Sequence, residues 1–387
     1  MRRLSPHERL QQRQLLQRSI AQLKAGDLAA AESGLQAALL RWPGHGDSLN
    51  FLGLLRHRQG RDAQALDLLR QATAALPQEA GPWNNLANVY AALQQWADAE
   101  HAYRASLALQ PDAAEVVANL ARACMRQDRL ADAAALFRQA LALAPGQAVW
   151  LHHLAACDPA SLPDRASDGY LQQVFDASAA AFDQHLGSLQ YQGPQRVAEA
   201  VRRHLGPAQA DLIVGDLGCG TGLSAADLRP FARQLHGCDL SAGMLAQARQ
   251  RPLYDSLAQQ ELGAFLQERP DHFDLLVCAD TLIYIGDLGP VMAAAAQALQ
   301  PGGRLVFTIE ALPDDDPQPV RLQAHGRFDH RADHVRDACA GAGLQLAAPE
   351  PFVLRIEAGQ AVPGWLGVAQ RPALGGPATM ETPVLAG

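Results

Sequence analysis

Residues 211–223 read DLIVGDLGCGTGL. The run Leu212-Ile213-Val214 is apolar, as a buried strand requires. Asp216 follows, and then Gly218, Gly220 and Gly222 at alternate positions. A strand that breaks into a glycine-rich turn and opens a helix is where an open α/β sheet binds a nucleotide-type cofactor. Two cofactors compete for this loop. A dinucleotide fingerprint is G-x-G-x-x-G, with the pyrophosphate on the helix N-terminus. Here the spacing is G-x-G-x-G, and Asp216 precedes the first glycine by two positions. A carboxylate there faces a pyrophosphate badly and an ammonium group well. The glycines then serve close backbone approach to the cofactor.

The residues around this loop alternate between strand and helix. A helix is predicted over 195–205, the first strand over 211–216, a helix over 223–234 and a second strand over 235–240. A helix over 242–250 precedes a weak strand near 258–262 and a short helix at GAFLQE. Then come a strand over 273–280, a helix over 288–299, the turn PGG (301–303), a strand over 304–310 and a helix over 331–343. Two last strands lie near 351–357 and 365–370. They are joined by the loop EAGQAVPG, too short for a crossover, and so pair antiparallel. Alternation of this kind predicts a Rossmann-like α/β sheet.

The N-terminal half is different. Pro43, Pro77, Pro111 and Pro145 recur every 34 residues. That is the period of a helix–turn–helix repeat stacked into an all-α solenoid. Trp83, Leu86, Ala87 and Tyr90 fall on one face of a first helix, and Ala99 and Tyr103 on a second. Gly53, Ala87 and Ala121 allow the paired helices to approach. The first repeat is degenerate, and a helix over 147–156 follows the last proline as a cap. The expected organisation is a repeat array over 12–157, a linker and lid helix over 158–194, the α/β domain over 195–371 and a disordered tail over 372–387. The stretch 169–191, with Tyr170, Phe175, Phe182 and Tyr191, reads equally as a packing helix or a lid.

Composition narrows the classes. Of the 387 residues, 48% are hydrophobic and 19% charged, an ordinary globular balance. The net charge of −8 speaks against a nucleic-acid partner. No apolar run is long enough for a membrane span, and the start MRRLSPHERL lacks the apolar region of a secretory signal. Six scattered cysteines without a CxxC pair fit reduced thiols in the cytoplasm, with no metal site.

The 34-residue pattern resembles the tetratricopeptide repeat (TPR) family. DLGCGTG, GCDLSAGML, FDLLVCADTLIYI and LQPGGRLVFTIE, in this order, resemble the motifs of class I S-adenosylmethionine-dependent methyltransferases, a seven-stranded fold with an antiparallel last strand. The fusion of the two is similar to a group of bacterial predicted methyltransferases with such repeats. The resemblance implies S-adenosyl-L-methionine as cofactor. It implies that Asp216, Gly218, Cys219 and Gly220 hold the methionine end, and that Asp239 holds the ribose. Leu240 and Met244 would flank the adenine or the ribose, Glu261-Leu262 would read the adenine amino group, and Asp280 would face the methyl donor. Tyr284, Arg327 and His185 are candidate acceptor contacts. His330, Asp280 and His325 are candidate bases, needed only where the acceptor carries a proton at neutral pH. The repeats imply a protein or peptide partner in their groove. The alternative is a repeat scaffold whose methyltransferase-like domain only senses cofactor.

Overall fold

The computed structural model describes residues 4–158 and 162–373. The chain forms two compact units, Met1–Asp158 and Pro159–Gly387. The tail expected over 372–387 lies, from 374 onward, outside the described residues.

The first unit is helical: α1 (Pro6–Lys24), α2 (Leu28–Arg41), α3 (Gly46–Arg58), α4 (Asp62–Ala75), α5 (Ala80–Ala92), α6 (Trp96–Leu109), α7 (Ala114–Met125), α8 (Leu130–Leu143) and α9 (Ala148–Cys157). Helix α1 begins at Pro6, where Ser5 and Glu8 form a reciprocal capping box. Helices α2, α4, α6 and α8 each end two residues before one of the four periodic prolines. The residue before proline avoids the helical region, so the chain must leave the helix there. The period repeats in the core. Ala31, Ala65, Ala99 and Ala133 are fully buried, as are Leu35, Leu69 and Phe137, with Tyr103 at 1%. At Gly53 a methyl group would meet Leu69 Cγ at 2.7 Å, which explains the small residue between paired helices.

The second unit begins with α10 (Asp168–Ser178), a 3-10 turn over Ala179–Ala181, α11 (Phe182–Ser188) and α12 (Gly193–Leu205). Then follow β1 (Leu212–Leu217), α13 (Ala225–Leu228), β2 (Ala232–Asp239), α14 (Ala242–Ala248), β3 (Ser256–Gln259), α15 (Leu262–Gln267), β4 (Phe273–Cys278) and α16 (Gly289–Ala298). The chain continues with β5 (Leu299–Ala311), β6 (Val320–Leu322), β7 (Phe328–His330), α17 (Ala332–Gly341), β8 (Gln345–Leu346), β9 (Glu350–Glu357) and β10 (Gln360–Gln370). Seven strands run in the order β3-β2-β1-β4-β5-β10-β8, with β6, β7 and β9 added beside them. Strands β1 to β5 are parallel. β10 lies antiparallel to β5 and to β9. Alternate residues face opposite sides. Val214, Leu275, Val277 and Val306 pack with α12 and α13 through Val197, Val201 and Leu228. Ile213, Leu276 and Phe307 pack into the other layer with Phe265 and Met292.

Several expected boundaries move. The helix predicted over 223–234 shrinks to α13, because Pro230 stops it and β2 already begins at Ala232. β5 begins at Leu299, ahead of the predicted 304. The weak strand predicted near 258–262 closes at Gln259, since Glu261 caps α15 by accepting from the Ala264 N–H at 2.9 Å. β6, β7 and β8 were not predicted; strands of two or three residues hold too little of a two-residue period to stand out.

Candidate active site

A cavity of about 350 Å³ opens along the carboxyl ends of β1, β2 and β4. It is where an open parallel sheet binds its ligand. β1 delivers Asp216, only 2% exposed. Tyr254 donates its hydroxyl proton to Asp216 Oδ2 at 2.7 Å. Burial raises the Asp216 carboxyl to about 6, although the Tyr254 bond pulls the other way. Gly218, Gly220 and Gly222 have φ of 64°, 56° and 85°, the left-handed region that glycine adopts freely. At Gly218 a Cβ would also meet Thr281 Oγ1 at 2.3 Å. At Gly220 an added Cβ meets no atom within 4 Å, so the loop is open toward the cavity there.

β2 ends at Asp239, whose carboxylate accepts the N–H of Gly220 at 2.9 Å and of Ser241 at 2.8 Å. One carboxylate thus ties the glycine loop to the start of α14, and each oxygen keeps a lone pair for another donor. Burial raises this carboxyl above its usual range. Leu240, Met244, Glu261 and Leu262 line the same wall. Cys219 is buried beside Asp216 and Asp239, which with desolvation holds its thiol protonated.

Segment 165–194 forms another wall, through Leu171, Val174, Phe175, Phe182, His185 and Leu186. Two aspartates pin it to the glycine loop and to the start of α14. Asp176 accepts from Ser241 Oγ at 2.5 Å and from the Gly243 N–H at 2.9 Å. Asp183 accepts from Thr221 Oγ1 at 2.5 Å and pairs with Arg251.

The remaining wall holds a charged network. Asp280, after β4, adopts φ 57°, a costly conformation for a residue with a side chain. Its N–H donates to Thr308 Oγ1 at 2.8 Å, and Arg355 Nη1 donates to Oδ2 at 3.1 Å. Burial raises its carboxyl to about 6. Arg327 donates to Glu310 at 2.5 Å and to both oxygens of Glu357 at 2.7 and 2.8 Å. Arg355 donates to Glu357 at 2.6 Å and to Glu310. Tyr284 stands edge-on to Phe175 at 5.5 Å.

Of the fifteen residues singled out from the sequence, thirteen line the cavity: Asp216, Gly218, Cys219, Gly220, Asp239, Leu240, Met244, Glu261, Leu262, Asp280, Tyr284, Arg327 and His185. His330 does not. β7 enters the sheet beside β5, pairing His330 with Ala311, and the ring is fully buried, stacked on His334 at 5.3 Å. Burial lowers it to about 3, so it is unsuited as a base at the cavity. His325 stands behind the wall, 3.7 Å from Glu310 Oε2, and burial lowers it to about 4. Arg327 is paired with two carboxylates, Glu310 and Glu357. Sequence reasoning missed Tyr254, Asp176, Asp183, Glu310, Arg355 and Glu357. The last three carried a signal: charged residues within apolar strands, with Arg355 and Glu357 two apart on one face, are buried ions that need partners.

Residues 215–307 match the family described as Methyltransferase domain. Residues 16–80 and 84–148 match the family described as Tetratricopeptide repeat. The human methyltransferase-like protein 27 is 36% identical over 141 residues, covering 35% of this chain and 55% of that protein. The ubiquinone biosynthesis O-methyltransferase of Yersinia pestis (strain Pestoides F) is 30% identical over 97 residues, covering 24% of this chain and 40% of that one. The chain thus spans about half the length of the curated relatives it matches. Among solved structures, 1,6-didemethyltoxoflavin-N1-methyltransferase of Burkholderia thailandensis aligns with a TM-score of 0.42 and 16% identity, over 52% of this chain and 87% of that one. Among the described residues no helix is long and apolar enough to cross a membrane. The chain carries a TPR region and a methyltransferase domain.

Proposed function

We propose that this chain, a TPR region joined to a methyltransferase domain, transfers the methyl group of S-adenosylmethionine to an acceptor held beside Asp280. One observation carries the reading: a glycine loop open toward the cavity, flanked by the buried carboxylate of Asp216 and the half-buried carboxylate of Asp239, with no basic residue among residues 216–224. Buried carboxylates suit a ligand that brings its own positive charge and hydroxyl donors, and repel a pyrophosphate. Asp216 would serve the ammonium end and Asp239 the ribose hydroxyls, while Leu240, Met244 and Leu262 would pack on the adenine. When bound, the cofactor supplies a methyl group already activated by a sulfonium. The protein's part is alignment and exclusion of water. The segment pinned by Asp176 and Asp183 closes the cavity over the donor and serves as its lid.

The repeats would present a partner to the same chain. Their first helices offer a polar row in which Asn85 donates to Asn50 at 3.0 Å and Asn119 to Asn88 at 3.5 Å. Amide side chains of this kind can exchange hydrogen bonds with an extended peptide. The test is incubation of the full chain with methyl-labelled S-adenosylmethionine and fractionated cell extract. Label in a product, absent with Asp239→Ala, is the expected result. Cofactor binding without transfer to any fraction would favour the scaffold alternative.

A further inference from the structure

The acceptor end of the cavity discriminates by charge, and it does so in an unusual way. Three arginines line it: Arg165, Arg327 and Arg355. Each is already paired with a carboxylate. Arg165 donates to Asp168 at 2.6 Å. Arg327 and Arg355 share Glu310 and Glu357, and Arg355 also reaches Asp280. Arg355 and Glu310 are each 2% exposed. At Arg355 an incoming carboxylate or phosphate would have to displace one of these partners and leave a buried charge unpaired, which is costly; the Arg165–Asp168 pair lies at the surface. An incoming cation would meet guanidinium groups and no free carboxylate but Asp280. Glu310 and Glu357 each serve two arginines, whereas Asp280 takes only Nη1 of Arg355, at 3.1 and 3.3 Å. Its carboxylate therefore keeps accepting capacity, and it lines the cavity.

The cavity also has an apolar and aromatic lining. Phe175 stands edge-on to Tyr284 at 5.5 Å and to Phe182 at 6.0 Å. Leu171, Val174 and Leu186 complete it. These rings already touch one another, and together with the aliphatic side chains they offer a wall on which a flat apolar ring can pack.

We infer that the acceptor is a small uncharged aromatic molecule bearing a hydroxyl group, with Asp280 as the base that takes its proton. The inference rests on the methyl-transfer reading above. The balance is simple. The acceptor oxygen forms a bond to the methyl carbon as the sulfur–methyl bond breaks, and that electron pair stays on sulfur. The hydroxyl proton passes to a carboxylate oxygen of Asp280. Arg355 holds this carboxylate in place.

The test uses the full chain saturated with S-adenosylhomocysteine. Three probes of one ring size are titrated by calorimetry: 2-naphthol, 2-naphthoate and 2-naphthylmethylammonium. The neutral naphthol is expected to bind at least tenfold tighter than either ion. An ion binding as well as naphthol, or naphthol failing to bind at millimolar concentration, overturns the inference. Failure of S-adenosylhomocysteine itself to bind defeats the underlying methyl-transfer reading instead. Glu357→Gln releases part of Arg327 and is expected to raise naphthoate affinity at least tenfold; no rise would contradict the saturated network. With methyl-labelled cofactor, naphthol should be methylated by the parent chain, and no product would overturn the hydroxyl assignment. Asp280→Asn, which suits the left-handed backbone, should keep naphthol binding within threefold and lower transfer at least 100-fold. Unchanged transfer would remove Asp280 as the base.

Discussion

The Tyr254 hydroxyl sets the state of the donor site. It donates to Asp216 within a pocket also faced by Asp239, Cys219, Cys278 and Tyr191. The Asp216 carboxyl titrates at about 6, raised by burial, so its ionised form is lost as pH falls through that value. Affinity for a cationic cofactor should fall with it. Tyr254→Phe removes a donor to the charged form and moves the midpoint up. Calorimetry between pH 5.5 and 8.5 should show the affinity curve displaced by at least half a pH unit, with roughly tenfold weaker binding at pH 7. The same carboxyl has a stability consequence of opposite sign to an ordinary salt-bridged aspartate. It is harder to ionise folded than unfolded, so the folded state loses stability as pH rises from the free carboxyl range to about 6. Asp216→Asn should therefore stabilise the cofactor-free chain at pH 7.5 by roughly 1–3 kcal/mol while abolishing cofactor binding. Thermal unfolding and calorimetry on one preparation would check both.

At the scale of elements, the glycine loop is the joint between β1 and the sheet beyond it. Gly218 combines φ 64° with a methyl-sized gap closed by Thr281. Gly218→Ala should weaken cofactor binding at least tenfold, since both the backbone and Thr281 must shift; Gly220→Ala, with open space at its Cβ, should cost less. Calorimetry of the two variants against the parent decides it. This loop was legible in the sequence because it joins a strand pattern to glycines at set spacing. The acceptor wall was not. Asp280 follows β4 and was legible by position, but Arg355 and Glu357 arrive on β9, and Arg327 flanks the three-residue strand β7. Their meeting depends on β10 pairing antiparallel with both β5 and β9, a register that no local pattern encodes. His330 shows the converse. It was a candidate base, but the pairing of β7 with β5 buries it.

At the scale of the molecule, the chain divides into two compact units at Asp158, and the four periodic prolines all lie in the first. The period was readable because each repeat places the same residue types at the same depth, as Leu35, Leu69, Tyr103 and Phe137 do. Every residue that lines the cavity belongs to the second unit. Leu69→Ala, a full cavity in the repeat core, should cost the repeat region about 2–5 kcal/mol and leave cofactor affinity within twofold. The central claim is that the glycine loop seats a cationic cofactor between the carboxylates of Asp216 and Asp239. Calorimetric titration of the full chain with S-adenosylmethionine, and separately with NAD, tests it at pH 7.5. Binding of one S-adenosylmethionine per chain, with none detectable for NAD and loss in Asp239→Ala, is the predicted result. Binding of NAD but not of S-adenosylmethionine would contradict it.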